Sequence, residues 1–191
     1  MLLAAVLTAP ILMARAQTAD DKAAEEKAAL CSACHGAAGV PTDKTIPIIW
    51  GQMQGYIYLE LRDFKSGARQ NDVMSAVAGQ LSRDDMMALA AYFAGKRWPS
   101  VRQEAASDAD AKTAKADIGS IGCPACHSDQ FQGDGTVPRA AGQNAAYLAK
   151  TMQDFRTGAR ANNPGMTSLM KATPEQDFPA LVRYLAGLSI N

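Results

Sequence analysis

The chain has 191 residues, balances 19 Lys and Arg against 19 Asp and Glu, and is 48% hydrophobic but only 6% aromatic. This length allows one ordinary domain or two small ones, and so few aromatic side chains leave two small cores in need of a covalent staple or a cofactor. A net charge of zero argues against a nucleic-acid partner, because such binding requires a basic surface.

The N-terminal segment, residues 1–16, has the pattern of an export signal. An almost wholly apolar run reaches Met13, and Ala14-Arg15-Ala16 supplies small residues at the positions that signal peptidase accepts. The run is too short to span a bilayer. We therefore expect a signal peptide cleaved before Gln17 and a periplasmic mature protein. No Lys or Arg precedes the run, which leaves an upstream start open. The sequence also leaves open peripheral membrane association and the oligomeric state.

The local pattern of the mature chain is helical throughout. Ala, Leu, Met, Lys and Glu dominate, and no apolar/polar alternation typical of strands is sustained. Each half is predicted to form a helix, a Cys-x-x-Cys-His motif, a long loop, a helix, a loop that contains a methionine, and a terminal helix. Ser82 and Asp85 have capping-box spacing ahead of the first terminal helix, and Thr173 is expected to cap the second.

The two halves of the chain repeat one another. When Cys31 is laid on Cys123, the match continues through each half, with Pro47 on Pro138, Gly51-Gln52 on Gly142-Gln143, Tyr56 on Tyr147, and Phe64–Arg69 on Phe155–Arg160. Two copies with so long a period indicate a duplicated small domain rather than a solenoid. We expect an N-terminal domain over residues 17–98 and a C-terminal domain over 99–191, separated near Trp98 by the helix-stopping Pro99.

Each half contains one Cys-x-x-Cys-His motif, with the cysteines and histidines at Cys31, Cys34 and His35 and at Cys123, Cys126 and His127. This is the attachment signature of c-type haem, because thiols at this spacing reach both vinyl groups and the next residue offers an imidazole to the iron. A thioredoxin-like dithiol lacks its βαβ context here. A zinc site needs four ligands, and the adjacent Cys34 and His35 would point poorly at one metal. Disulfides leave the histidine after each cysteine pair unexplained. We therefore predict two covalently bound haem c groups whose irons are ligated by His35 and His127.

The sixth iron ligand follows by elimination, since the chain contains only two histidines. Methionine is the best remaining ligand, and Met74 and Met166 stand at the same spacing after the two histidines. Met170 is the main rival of Met166, and Lys171 or an open position are further alternatives. Four methionines without such a correspondence are expected to fill core space: Met53, Met86, Met87 and Met152.

These features together resemble the dihaem cytochrome c4 family, which has two class I cytochrome c domains in tandem. In that family a proline and a Gly-Gln pair follow the haem motif, as Pro47 and Pro138 do here with their Gly-Gln pairs, and Gly-x-Arg precedes the ligand methionine. The resemblance covers the mature chain and implies an all-α fold with each domain wrapped round one covalent haem. It also implies that the carbonyls of both prolines accept hydrogen bonds from the proximal imidazoles, although rigid loop prolines fit the pattern equally well.

The resemblance implies electron transfer from a membrane quinol-oxidising complex to a terminal oxidase, with these redox proteins as partners. If His and Met fill both axial positions of each iron, no site remains for oxygen, peroxide or nitrite. We therefore expect an electron carrier rather than an enzyme of the peroxidase or thiosulfate-oxidising kind. A cytochrome subunit of a periplasmic dehydrogenase, with a flavin or quinoprotein partner, uses the same ligation and stays open.

Three further residues are singled out by the repeat. Arg69 and Arg160 are candidates to neutralise a haem propionate, but solvated surface arginines are the commoner outcome. Trp50 has no tryptophan counterpart in the second half, which indicates that the two haem pockets differ.

Overall fold

The computed structural model describes residues 19–190, so the predicted signal segment lies outside the described residues. Over this range the chain forms nine α-helices and one short 3-10 turn, and a lone β-bridge joins Asp134 to Val137. The helices are α1 (Ala19–His35), α2 (Gln54–Ser66), α3 (Asp72–Gly79), α4 (Arg83–Ala94), α5 (Asp108–Ile121), α6 (Pro124–His127), α7 (Ala145–Thr157), α8 (Pro164–Ala172) and α9 (Phe178–Gly187). The prediction of an all-helical chain is confirmed.

The helices fall into two halves with the same packing order. In the first half α1 packs on α4, α4 on α2, and α2 on α3. In the second half α5 packs on α9, α9 on α7, and α7 on α8. Each half encloses its own apolar core, which runs from Ala28 to Phe93 in the first and from Ala114 to Ala186 in the second. The repeat in the sequence therefore corresponds to a repeat in packing.

The haem motif sits differently on the helices of the two halves. In the first half it forms the last turn of α1, whereas in the second Gly122 takes a left-handed φ of 80° that ends α5, and α6 begins at Pro124. Proline has no N–H to continue a helix and is favoured at a first helical position. The residue aligned with Gly122 is Leu30, which stays helical inside α1.

Both candidate methionines lie in short helices, which corrects the expectation of a methionine-bearing loop. Asn71 caps α3 by accepting a hydrogen bond from the N–H of Met74 at 2.9 Å. Asn163 caps α8 by accepting one from the N–H of Met166 at 3.0 Å. Asparagine is among the best N-cap residues, so the same local signal starts a helix at the same register in both halves. Each methionine is the third residue of its helix.

The two predicted caps have different outcomes. Ser82 and Asp85 form the full capping box ahead of α4, which confirms that prediction. The prediction for Thr173 is wrong: its hydroxyl and its N–H both donate to the carbonyl of Leu169, so it ends α8 instead. The last helix is entered through the 3-10 turn Glu175–Asp177, which has no side-chain cap.

The four methionines assigned to core filling divide in a similar way. Met86 and Met152 are buried, as expected. Met53 is half-buried and Met87 is exposed, so the expectation is wrong for Met87. No helix among residues 19–190 has both the length and the apolar character needed to cross a membrane.

The segment between the halves, residues 97–107, contains no helix. Its Gln103 is hydrogen-bonded to the second half. The amide of Gln103 donates to the carbonyls of Gly142, Gln143 and Ala186 and accepts from the N–H of Ala145. Trp98 packs closely on Gly51 and on Gly142. Both copies of the Gly-Gln pair therefore contact the tryptophan at which the domain boundary is predicted.

Candidate haem sites

The two cysteines of each motif lie three residues apart on one helical turn, so both thiols are on the same face. Cys34 and Cys126 are exposed, Cys31 and Cys123 are half-buried, and no disulfide joins any of these four residues of the described range. Burial raises the pKa of the Cys31 and Cys123 thiols. This favours the protonated, uncharged thiol at both positions before a haem is attached.

Each motif histidine is oriented by a proline carbonyl. His35 Nδ1 lies 2.8 Å from the carbonyl oxygen of Pro47, and His127 Nδ1 lies 3.0 Å from that of Pro138. A carbonyl oxygen only accepts, so Nδ1 is the protonated nitrogen in both rings. Burial lowers the pKa of both histidines, which favours the neutral imidazole. Each ring therefore offers the lone pair of Nε2 to a metal, in an orientation that the proline fixes.

The three candidate distal methionines occupy two kinds of position. Met74 and Met166 are half-buried at equivalent places in α3 and α8, and Met166 packs against the second core. Met170 is a buried member of that core, and its aligned residue in the first half is Ala78, which is also fully buried. Lys171 is exposed. Met170 thus fills a core position that the first half fills with a smaller side chain.

The Gly-Gln pairs hold the proline loops of the opposite halves. The Gln143 amide accepts from the N–H of Ile48 at 2.8 Å and donates to the carbonyl of Ile48 at 2.9 Å. The Gln52 amide accepts from the N–H of Arg139 at 2.7 Å and donates to its carbonyl at 2.9 Å. Both glutamines are buried. The repeat marks both glutamines in the sequence, but nothing in it indicates this contact between the halves.

A second two-fold arrangement joins α2 and the loop after it to α7 and the loop after that helix. Arg69 donates to the hydroxyl of Tyr147 at 3.2 Å, and Arg160 donates to that of Tyr56 at 3.3 Å. Both guanidinium groups also bind the carboxylate of Glu60. The side chains of Arg69 and Arg160 are only 15% and 7% exposed, so the expectation of solvated surface arginines is wrong.

The charge of this cluster is unbalanced. Its two arginines share Glu60, whose aligned residue in the second half is the neutral Thr151. Among the described residues Asp63, the next buried carboxylate, is paired instead with Arg62 and Asn162. The surplus positive charge suits an anionic group, such as a propionate, at this junction.

The residues of each half fit a covalently attached haem. Two thiols on one helical face and an imidazole with a free Nε2 are the donors that haem c requires. In addition, the indole N–H of Trp50 is buried and meets no acceptor among the described residues. Buried donors are normally satisfied, so this N–H is suited to a ligand that carries acceptor oxygens.

No protein-family model matches the chain. The cytochrome c4 of Pseudomonas aeruginosa is 34% identical over 198 residues, covering 98% of each protein. A thiosulfate dehydrogenase electron acceptor of Stutzerimonas stutzeri is 32% identical, covering 95% of this chain and 92% of that protein. The crystal structure of reduced cytochrome c4 from Pseudomonas stutzeri is 31% identical and covers 90% of this chain and 100% of its own, with a TM-score of 0.78. The chain therefore belongs to the cytochrome c4 family of electron-transfer proteins, with tandem cytochrome c domains and two covalently bound haems.

Proposed function

We propose that this chain carries single electrons in the periplasm from a quinol-oxidising complex to a terminal oxidase. The observation that supports this proposal is that both halves present a histidine and a methionine, the candidate iron ligands, at equivalent places. A proline-oriented imidazole ends each motif helix, and an asparagine-capped helix carries a methionine as its third residue. Haem supplies one-electron chemistry when it is bound at such a site.

The proposed ligand sets are His35 with Met74 and His127 with Met166. Cys31 and Cys34 hold one haem through thioether bonds, and Cys123 and Cys126 hold the other. The carbonyls of Pro47 and Pro138 fix the two imidazoles. With both axial positions filled by the protein, neither iron has room for a substrate, so the chain acts as a carrier and not as an enzyme.

We also propose a division of the chain into two haem domains and its export from the cytoplasm. Domains 17–98 and 99–191 each hold one haem, and the separate apolar core of each half supports this division. Residues 1–16 direct export, which places the mature protein with other exported redox proteins. An electron then enters through the haem of one domain and leaves through the other.

A second candidate function is electron acceptor of a periplasmic dehydrogenase. It is favoured by the similarity to the thiosulfate dehydrogenase electron acceptor of Stutzerimonas stutzeri, which extends over 95% of this chain. Both functions use the same closed irons, so ligation does not separate them. The difference lies in which protein reduces the chain.

The first test is the optical spectrum of the dithionite-reduced holoprotein before and after carbon monoxide. Sharp c-type bands that the gas leaves unchanged are expected, whereas a shifted Soret band would contradict the closed ligation. The second test mixes the oxidised protein with quinol and bacterial membranes, or with a purified thiosulfate dehydrogenase and thiosulfate. Fast reduction by quinol and membranes supports the proposal, and fast reduction by the dehydrogenase alone supports the second candidate.

A further inference from the structure

We propose that Gln52 and Gln143 each lower the reduction potential of the haem in the opposite domain, by strengthening the hydrogen bond that its proximal histidine donates. The inference rests on the proposed ligation by His35 and His127. It goes beyond that function, because it assigns the control of each haem to a side chain of the other domain.

A single peptide group connects each glutamine to a histidine. The peptide between Pro47 and Ile48 accepts from His35 Nδ1 at its carbonyl, and its N–H donates to Gln143 Oε1 at 2.8 Å. The peptide between Pro138 and Arg139 accepts from His127 Nδ1, and its N–H donates to Gln52 Oε1 at 2.7 Å. Each ligand imidazole is thus two hydrogen bonds away from a glutamine that lies about half the chain away in sequence.

Hydrogen bonds in such a chain polarise one another. When the N–H of a peptide donates, its carbonyl oxygen becomes more negative and accepts more strongly. A stronger acceptor draws the Nδ1 proton from the imidazole and makes Nε2 a more basic ligand. A more basic ligand stabilises the oxidised iron, so the reduction potential falls. Since both glutamines are buried, water does not replace the bond or screen it.

The amide nitrogen of each glutamine holds the side chain in the orientation that this polarisation requires. The Nε2 of Gln143 binds the carbonyl of Ile48 at 2.9 Å, and that of Gln52 binds the carbonyl of Arg139 at the same distance. Two bonds to one residue fix the amide plane, so Oε1 stays aimed at the peptide N–H. Each Oε1 also accepts a hydrogen bond from the N–H of the residue that follows the glutamine, Met53 after Gln52 and Asn144 after Gln143. This bond opposes rotation of the side chain.

The experiment uses the dihaem holoprotein and the variants Gln143→Met and Gln52→Met. Methionine keeps the length of the side chain but removes both hydrogen bonds. We expect Gln143→Met to raise the potential of the haem ligated by His35, and Gln52→Met to raise that of the haem ligated by His127. The expected change in electron distribution between the two haems is about threefold, or roughly 28 mV at 59 mV per tenfold for one electron.

The sequence contains only two histidines, so a protein labelled with ¹⁵N-histidine gives one Nδ1 signal for each haem. The Nδ1–H of the opposite domain should move upfield and exchange faster in each methionine variant. Asn144→Leu is the matched control. The buried side chain of Asn144 donates across the interface to the carbonyl of Ile46 at 2.7 Å and bonds neither proline peptide N–H, and leucine keeps the backbone N–H that Gln143 Oε1 accepts. It should loosen the interface without the crossed shift.

The variants Gln143→Glu and Gln52→Glu test the same idea if the methionine variants fail to mature. Glutamate retains an acceptor for the peptide N–H, so the opposite haem should not rise in potential and should fall when the carboxylate ionises. Shifts that are equal at both haems, that follow the mutated domain, or that appear in Asn144→Leu would overturn the proposal. A wild-type protein that does not show a low-spin His/Met spectrum would instead refute the proposed ligation.

Discussion

Trp50 packs directly on Gly39, so closely that a Cβ added to this glycine would lie 2.6 Å from the indole Cγ. In the second half Ala141 is aligned with Trp50 and Phe131 with Gly39, and the N–H of Ala141 donates to the carbonyl of Phe131 at 3.1 Å. The large and the small residue have thus exchanged places. Gly39 and Phe131 share a left-handed backbone, with φ of 76° and 57°. Each half therefore has one large aromatic side chain at this contact. It is Trp50 in the first half and Phe131, the residue aligned with Gly39, in the second half.

The Gly39 contact predicts a large loss of stability for Gly39→Ala. A left-handed non-glycine residue costs roughly 1–2 kcal/mol, and forcing extra volume into a packed site costs about 1–3 kcal/mol more. Gly67→Ala is the matched control, because Gly67 has φ of 80° with nothing near its added Cβ and should show the backbone cost alone. Guanidinium unfolding of the holoprotein measures both. Equal losses in the two variants would show that the indole moves aside freely.

Because the large and the small residue have exchanged places, Trp50→Ala should restore part of the stability that Gly39→Phe removes. The double variant Gly39→Phe with Trp50→Ala reproduces the arrangement of the second half, so it should be more stable than Gly39→Phe alone by about 1–3 kcal/mol, the usual cost of overpacking. The same unfolding measurement applies. If the double variant is as unstable as the single one, the two halves do not share this contact.

The proposed ligation by Met166 predicts different effects for substitution of Met166 and of its neighbour Met170. Met166→Ala should open one iron of the two, so that about half of the reduced haem binds carbon monoxide. Met170→Ala should leave both irons closed but lower the free energy of unfolding by about 2–5 kcal/mol, because Met170 is buried in the second core. A carbon monoxide spectrum and an unfolding curve of each variant separate the two roles. Carbon monoxide binding to Met170→Ala but not to Met166→Ala would reverse the assignment.

Much of the candidate site follows from sequence because it consists of local signals that occur twice in phase. The cysteine pairs, the two histidines, the prolines and the spacing of Met74 and Met166 are all of this kind. The helices that carry both methionines also have a local signal, since Asn71 and Asn163 stand three residues before them and asparagine is a preferred N-cap residue. Gly122 and Pro124 likewise indicate the break between α5 and α6.

The contacts between the halves could not be predicted in this way. The bond from Ile48 to Gln143 joins residues 95 positions apart, and nothing in either segment specifies its partner. The burial of Arg69 and Arg160 follows from the same junction, because each guanidinium reaches a tyrosine of the opposite half. Composition treats arginine as a surface residue, and only the docked geometry of two halves overrides that tendency.

The ion pairs of Glu60 with Arg69 and Arg160 predict that Glu60→Gln changes both the free energy of unfolding and the haem reduction potentials. Glu60 binds both Arg69 and Arg160 and is 12% exposed, and losing hydrogen bonds between charged groups costs about 2–3 kcal/mol. Removal of a negative charge between the domains should also raise both haem potentials, since reduction adds an electron. Redox titration and unfolding of the holoprotein measure the two effects.

Thr151→Val provides the control for Glu60. Thr151 is the aligned residue of the second half, and its hydroxyl accepts from Arg160 at 2.6 Å. The variant removes one hydrogen bond without a change of charge, so it should cost about 1 kcal/mol and leave the potentials unchanged. An equal rise in potential in both variants would mean that loosening of the junction, not charge, controls the haems.

Two ion pairs make the stability of the folded protein depend on pH in the acid range. An ion pair ties the first helix to the last in each half, with opposite polarity: Lys27 of α1 binds Asp85 of α4, and Asp110 of α5 binds Arg183 of α9. Hydrogen bonds from Lys27 and Ser82 lower the pKa of Asp85 to about 2, and those from Arg183 and Ser107 lower the pKa of Asp110 to about 2. Both values lie below the ordinary value of about 3.9 for an unfolded aspartate.

Because the folded pKa values are depressed, these carboxylates stabilise the folded protein above about pH 4 and lose that contribution as the pH falls towards about 2. We expect Asp85→Asn and Asp110→Asn each to lower the unfolding free energy at neutral pH and to flatten its decline through this window. Asp108→Asn, in the first turn of the same helix as Asp110, is the control and should keep the wild-type slope. A slope that both variants leave unchanged would mean that the two helix pairs hold together without these charges.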